Sequence, residues 1–82
     1  MEPYFLYILR SELYPRHYVG ISDDPEKRLQ RHNKGDVRST KAYRPWKIIC
    51  TEKFKNRSEA TKRESFLKRT AKARVELFQS LK

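Results

Sequence analysis

A few side chains in this 82-residue chain are of types that do chemistry. Glu64 comes first. In the run "NRSEATKRESFLKRT", a helical projection of about 100° per residue places Ala60, Glu64, Leu67 and Ala71 within about 60° of one another. Glu64 is the only acid on that stripe. A carboxylate turned toward a core must be neutralised by a cation. Two readings stay open: an ion pair with a lysine or arginine at the helix edge, or a metal ligand or catalytic acid.

A second group lies upstream. In "DPEKRLQRHN", Pro25, Leu29 and His32 share one side of a helix, and Arg28 borders that side one turn before His32. An arginine held at such a boundary can aim a planar fork of donors at a phosphate; alternatively its aliphatic stem simply reaches solvent. His32 is either a helix-terminus histidine or a catalyst. Tyr7 and Tyr18 fall in two strand-like runs, and antiparallel pairing would bring both hydroxyls to the same sheet face, where a core tyrosine would need a hydrogen-bond partner. Gly20, one of two glycines, permits close backbone approach, although a bend would also explain it. The sequence has no phosphate-cradling glycine loop, no HExxH, no carboxylate-rich magnesium cluster and no Cys/His nucleophile signature.

The elements that must position these residues read as follows. "PYFLYIL" (Pro3 to Leu9) is a short continuous apolar run, the pattern of a strand covered on both faces, and "HYVGI" (His17 to Ile21) is a second strand. Asp23 or Asp24 can cap a helix that has Pro25 in its first turn, with Glu26 three residues after Asp23 as in a capping box. That helix should end near Asn33, with Gly35 in the left-handed conformation. After a basic loop, "WKIICTEKF" (Trp46 to Phe54) alternates in part and predicts a third strand with Trp46, Ile48 and Cys50 on one face. A helix capped by Asn56 or Ser58 follows, and "KARVELFQSL" stays helical with Val75, Phe78 and Leu81 on one side. The expected fold is α+β: a three-stranded antiparallel sheet flanked by helices, in the order β-β-α-β-α-α, as one domain over residues 1–82.

Composition narrows the partners. Hydrophobic and charged residues each make up 37%, and ten aromatics spread along the chain argue for a folded core. The net charge of +10 points to a polyanion, with nucleic acid the default. From Lys53 to Lys82 there are ten basic and three acidic residues, so a phosphate-tracking face is expected there. The single cysteine, Cys50, excludes an internal disulfide and a cysteine-cluster zinc site. No apolar stretch approaches the ~20 residues of a membrane span, and no leader pattern opens the chain. A cytoplasmic protein without membrane contact is expected, with the "NRS" at Asn56 unglycosylated.

Taken in order, "FLY" (Phe5 to Tyr7), "YVG" (Tyr18 to Gly20), "DPEKRLQRHN" with Arg28, and "EATKRESFLK" with Glu64 resemble the GIY-YIG nuclease superfamily. The resemblance covers most of the chain and extends, through "TKAYRPWKII", to the small single-domain bacterial proteins of that superfamily. It implies divalent-metal-dependent cleavage of DNA phosphodiesters. By motif position Tyr7 and Tyr18 take the two tyrosine places, Arg28 the arginine place and Glu64 the metal-binding carboxylate place. His32 stands where homing-endonuclease members carry a histidine. The implied cofactor is Mg²⁺ or Mn²⁺, and a lone carboxylate suits Mg²⁺, which keeps several waters. With no additional DNA-recognition module, the expected activity is structure-selective or weakly sequence-specific cutting, in DNA repair or recombination, with a partner protein for targeting. The alternative is a noncatalytic basic nucleic-acid-binding module on the same fold.

Overall fold

The computed structural model describes residues 3–81. Strands β1 (Tyr4–Ser11) and β2 (His17–Ser22) are joined by a turn and followed by helix α1 (Pro25–Lys34). A 3-10 turn at Lys41–Tyr43 leads into β3 (Trp46–Phe54), and helices α2 (Arg57–Arg69) and α3 (Ala71–Ser80) complete the order. The sheet is antiparallel with order β2-β1-β3, so β1 is central. This is the α+β architecture expected from the sequence.

The central position of β1 explains its composition. Leu6, Tyr7, Ile8 and Leu9 are all buried because the strand is paired at both edges and covered on both faces. Alternation sends Leu6 and Ile8 to one face, where they meet Val19 and Leu67, and sends Tyr7 and Leu9 to the other, where they meet Trp46. Helices α2 and α3 cover the first face through Leu67, Ala73, Leu77 and Phe78; α1 and the 3-10 turn cover the second through Leu29 and Tyr43. The strand begins at Tyr4 rather than Pro3 and runs two residues past Leu9, because Ser11 still pairs with Trp46.

One expectation about β3 is overturned. Ile8 pairs with Cys50 and Leu9 with Ile48, so Ile49 is an extra residue, a β-bulge. Trp46 and Ile48 therefore face α1, whereas Cys50 packs with Leu6 and Ile8 on the α2 side. The bulge shifts the alternation by one residue, which period-two counting does not anticipate.

The helix termini are chemically defined. Asp24 caps α1, its carboxylate accepting from the Lys27 N–H; the capping box from Asp23 to Glu26 does not form. At the other end Gly35 is left-handed (φ 87°), its N–H donates to the His32 carbonyl and the Asp36 N–H to that of Arg31, a Schellman closure. Asn56 caps α2 by accepting from the Glu59 N–H. Thr70 breaks the helix there (φ −116°, ψ 85°), so Ala71 belongs to α3 and leaves the stripe of Ala60, Glu64 and Leu67. On α3, Leu77 and Phe78 pack inward, while Val75 is exposed. No helix among the described residues is long and apolar enough to cross a membrane.

Candidate active site

Strand register brings the two tyrosines together. Tyr7 lies opposite Gly20 and Tyr18 opposite Leu9, so both rings project from the α1 face, with centroids 6.2 Å apart. Gly20 makes that approach feasible: a Cβ there would stand 2.6 Å from the Tyr7 hydroxyl oxygen and 2.9 Å from the Tyr18 ring. Its backbone is not left-handed, so the requirement is space for Tyr7 rather than a bend.

Helix α1 delivers the next two groups. Its core-facing side carries His32, fully buried between the tyrosines, with ring centroids 5.9 Å from Tyr7 and 4.8 Å from Tyr18. His32 Nε2 and the Tyr7 hydroxyl are hydrogen-bonded at 3.0 Å, and Nδ1 and the Thr40 hydroxyl at 2.8 Å. The Thr40 hydroxyl donates to the Val37 carbonyl at 3.3 Å. With that proton committed, Nδ1–H donates to Thr40 and Nε2 accepts from Tyr7. Burial, reinforced by the charges of Arg28 and Arg31, pushes the imidazole down to about 4, so the ring is neutral near pH 7.

Arg28 stands half-buried beside Tyr7. Its Nε is buried without an acceptor among the described residues. Burial raises the Tyr7 hydroxyl above the ordinary tyrosine range, opposed by the adjacent Arg28 guanidinium. Arg28 is itself pushed upward, chiefly by its contact with the Tyr7 oxygen. The site thus holds a guanidinium that meets Tyr7 through one part and keeps a buried Nε–H without a protein acceptor among the described residues.

Helix α2 supplies the acid. Arg63 grips Glu52 of β3 through two bonds of 2.9 and 3.2 Å, and Ala60 and Leu67 are buried on the sheet, which together set the rotation of α2. Glu64 then lies beside the sheet rather than in the core. Its Oε2 accepts from Lys68 Nζ at 3.3 Å, one helical turn on, and the same ammonium stands 6.0 Å from the centre of the Tyr18 ring. The ion pair left open by the sequence is thus formed, to Lys68. Among the described residues there is no cluster of three or more His, Cys, Asp or Glu side chains able to enclose a metal. A cation at Glu64 would be completed by water and substrate oxygens, the coordination that suits Mg²⁺.

All five residues singled out from the sequence, Tyr7, Tyr18, Arg28, His32 and Glu64, therefore fall in one neighbourhood between α1, the sheet and α2. Two supporting residues were missed. Thr40 lies in a loop with no periodic signal, and Lys68 is one of twenty basic residues. Asn33 also does more than end a helix: it accepts from the Trp46 N–H at 2.7 Å and donates to its carbonyl at 3.0 Å, tying α1 to β3. The Trp46 indole donates to the Thr40 carbonyl at 2.9 Å, which holds Thr40 under His32.

A three-stranded antiparallel sheet with tyrosines on two paired strands, an arginine and a histidine on one helix and a glutamate on another defines a small α+β class of sheet flanked by helices. Residues 3–77 match the GIY-YIG catalytic domain, and the chain belongs to the GIY-YIG family. It is 36% identical over 69 residues to a UPF0213 protein of Staphylococcus saprophyticus, covering 83% of each chain. It is 40% identical over 74 residues to the structure-specific endonuclease subunit SLX1 of Meyerozyma guilliermondii, covering 80% of this chain and 25% of that one. In three dimensions it is similar to a UPF0213 protein of Bacillus halodurans solved by NMR, with a TM-score of 0.58 at 26% identity over 98% of this chain and 85% of the other.

Proposed function

We propose that this protein is a divalent-metal-dependent endonuclease that hydrolyses DNA phosphodiesters, with Mg²⁺ or Mn²⁺ held at Glu64. The observation that carries this reading is the convergence of a buried, unpartnered arginine donor, a half-buried carboxylate and a partly exposed tyrosine at one place on a strongly basic molecule. Glu64 would hold the divalent ion, which when bound would supply charge stabilisation at the leaving oxygen. Arg28 holds the scissile phosphate through its fork and offsets the charge that builds there.

The two tyrosines take different parts. Tyr7 is fully buried and held by His32, whereas Tyr18 is only partly buried. Tyr18 is therefore the residue that meets the attacking water: its oxygen takes the water's proton as its own phenolic proton passes to solvent at its exposed side. Tyr7 is a positioning residue that orients Arg28 and His32. Substrate selection by DNA structure rather than sequence fits the family relationship to a structure-specific endonuclease subunit, and a targeting partner fits the same relationship.

The noncatalytic module is the second reading, and the Glu64–Lys68 ion pair favours it, since a carboxylate satisfied by a neighbouring lysine requires no metal. One experiment separates the two. Plasmid, single-stranded, flapped and branched DNA are incubated with wild type, Glu64→Ala and Arg28→Ala in Mg²⁺ or Mn²⁺. Metal-dependent cutting by wild type alone is expected; equal behaviour of all three proteins on every substrate would remove the enzyme reading.

A further inference from the structure

The turn between β1 and β2 presents bare apolar side chains, with Leu13 71% exposed and Tyr14 46% exposed. The backbone beneath them is held firmly. Buried Ser11 accepts through Oγ from the N–H groups of Leu13 (3.3 Å) and Tyr14 (3.1 Å), and its hydroxyl donates to the Tyr43 carbonyl at 2.7 Å. The Ser11 N–H donates to the Arg16 carbonyl and the Glu12 N–H to that of Pro45. The Tyr14 ring meets Tyr43 edge-on with centroids 5.5 Å apart, and the Arg16 guanidinium stands 4.5 Å from the centre of that Tyr43 ring. A rigid base thus displays two side chains that could pack on something planar or apolar.

From this tip a cleft of about 400 Å³ follows the outer edge of β2, with Pro15 and Arg16 at one end, Tyr18 and Lys68 at the other and Arg74 in its wall. That edge is unpaired in the sheet. Lys68 is the partner of Glu64, so the cleft runs directly into the candidate active site. Arg16, Lys68 and Arg74 share its lining with His17, Tyr18, Val19 and Phe78, one Arg74 nitrogen also donating to the Leu67 and Lys68 carbonyls. Leu13 and Tyr14 stand outside the cleft, just beyond its Pro15 end. A strand whose phosphates follow these cations would bring its next bases to the tip.

We propose that the β1–β2 turn reads a DNA branch: one strand lies in this cleft with phosphates against Arg16, Lys68 and Arg74, while Leu13 and Tyr14 pack on bases left unstacked where the duplex opens. The proposal rests on the DNA-nuclease reading and adds the element that selects structure and the place of the cut. A continuous duplex offers no unstacked base to the tip, whereas a fork or flap does. Leu13 is five residues from Tyr18, a reach of at most about 17 Å at ~3.4 Å per residue, which equals about five base-pair steps. Cutting is therefore expected within about five nucleotides of the branch.

The test uses Glu64→Gln protein, so that binding is read without cleavage. Its affinity for forked, flapped and unbranched duplex DNA is measured by fluorescence anisotropy, with and without Leu13→Ser, Tyr14→Ser and both together. Forked DNA should bind about tenfold or more tightly than duplex, in line with the ~5- to 150-fold that stacking of a base contributes. The double substitution should bring that ratio near one at unchanged duplex affinity. Leu13→Ser alone leaves the Tyr14–Tyr43 contact in place, should lower the ratio several-fold, and decides the matter if the double variant does not fold. Arg16→Ala should weaken every substrate and reduce the salt slope by about one. A wild-type-like ratio in these turn variants, or no branch preference before substitution, overturns the proposal. If the branch preference disappears on substitution but wild type cuts no DNA, the branch reader stands and the nuclease reading falls.

Discussion

The two faces of the sheet are built from the same strand by opposite means. On the α2 side β1 contributes Leu6 and Ile8 to an aliphatic core with Val19 and Leu67. On the α1 side it contributes Tyr7, whose polar end is satisfied through His32 and Thr40. The first face holds the fold together without directional bonds; the second holds a set of rings and charges in one geometry and depends on every partner being present. Activity and stability should therefore separate by face.

The largest effects are expected on the polar face and in activity. Tyr18→Phe should reduce DNA cleavage by about 10²- to 10⁴-fold, the range for loss of a general base, with little change in melting temperature. Tyr7→Phe should lower activity less and stability more, because the buried His32 loses its partner. If Tyr7→Phe abolishes cleavage while Tyr18→Phe retains it, the division of labour between the tyrosines is reversed. On the aliphatic face Leu67→Ala should cost about 2–5 kcal/mol of stability in denaturant titration, while the protein that remains folded keeps most of its specific activity, because Ala60 and the Arg63–Glu52 pair still fix the rotation of α2.

Acid offers a third comparison. Both histidines are pushed down by burial, His32 to about 4 and His17, beside Arg10, in the same direction. An unfolded chain takes up protons near pH 6.5 that the folded chain refuses, so this stability is complete above about pH 6.5 and is lost as pH falls toward 4. For His32 the gap corresponds to about 3 kcal/mol. Melting temperatures between pH 7 and 4 should show a decline that flattens in His32→Gln and flattens less in His17→Gln. The smallest effect should be Asp24→Ala, which removes the cap of α1 at about 1 kcal/mol and leaves both faces intact; a large loss of cleavage in that variant would show that α1 positions Arg28 only marginally.

Much of this arrangement was legible in the sequence. The bounds of β3, the Gly35 terminus and the Asn56 cap follow from local chemistry that operates over a few residues. The grouping of Arg28 with His32 follows from helical spacing, whereas the stripe turned Glu64 toward the core and the folded α2 leaves it beside the sheet, paired with Lys68. The bulge at Ile49 was not legible, because it is decided by how two strands pair rather than by either alone. Thr40 and Lys68 were hidden for another reason: a hydroxyl in a loop and one lysine among many carry no pattern until the chain is folded. Gly20 could be seen but not interpreted, since the side chain that needs its empty space lies thirteen residues earlier, at Tyr7.

The bulge in β3 acts as a phase shifter between two halves of one strand. Upstream of Ile49 the strand is in phase with α1; downstream, Cys50, Glu52 and Phe54 are in phase with α2. Deleting Ile49 preserves both phases, because Ile48 and Cys50 then alternate as direct neighbours. Inserting one residue after Cys50 would turn Glu52 away from Arg63 and release the clamp on the helix that carries Glu64. In this protein a lost residue at the bulge should be better tolerated than a gained one beside it.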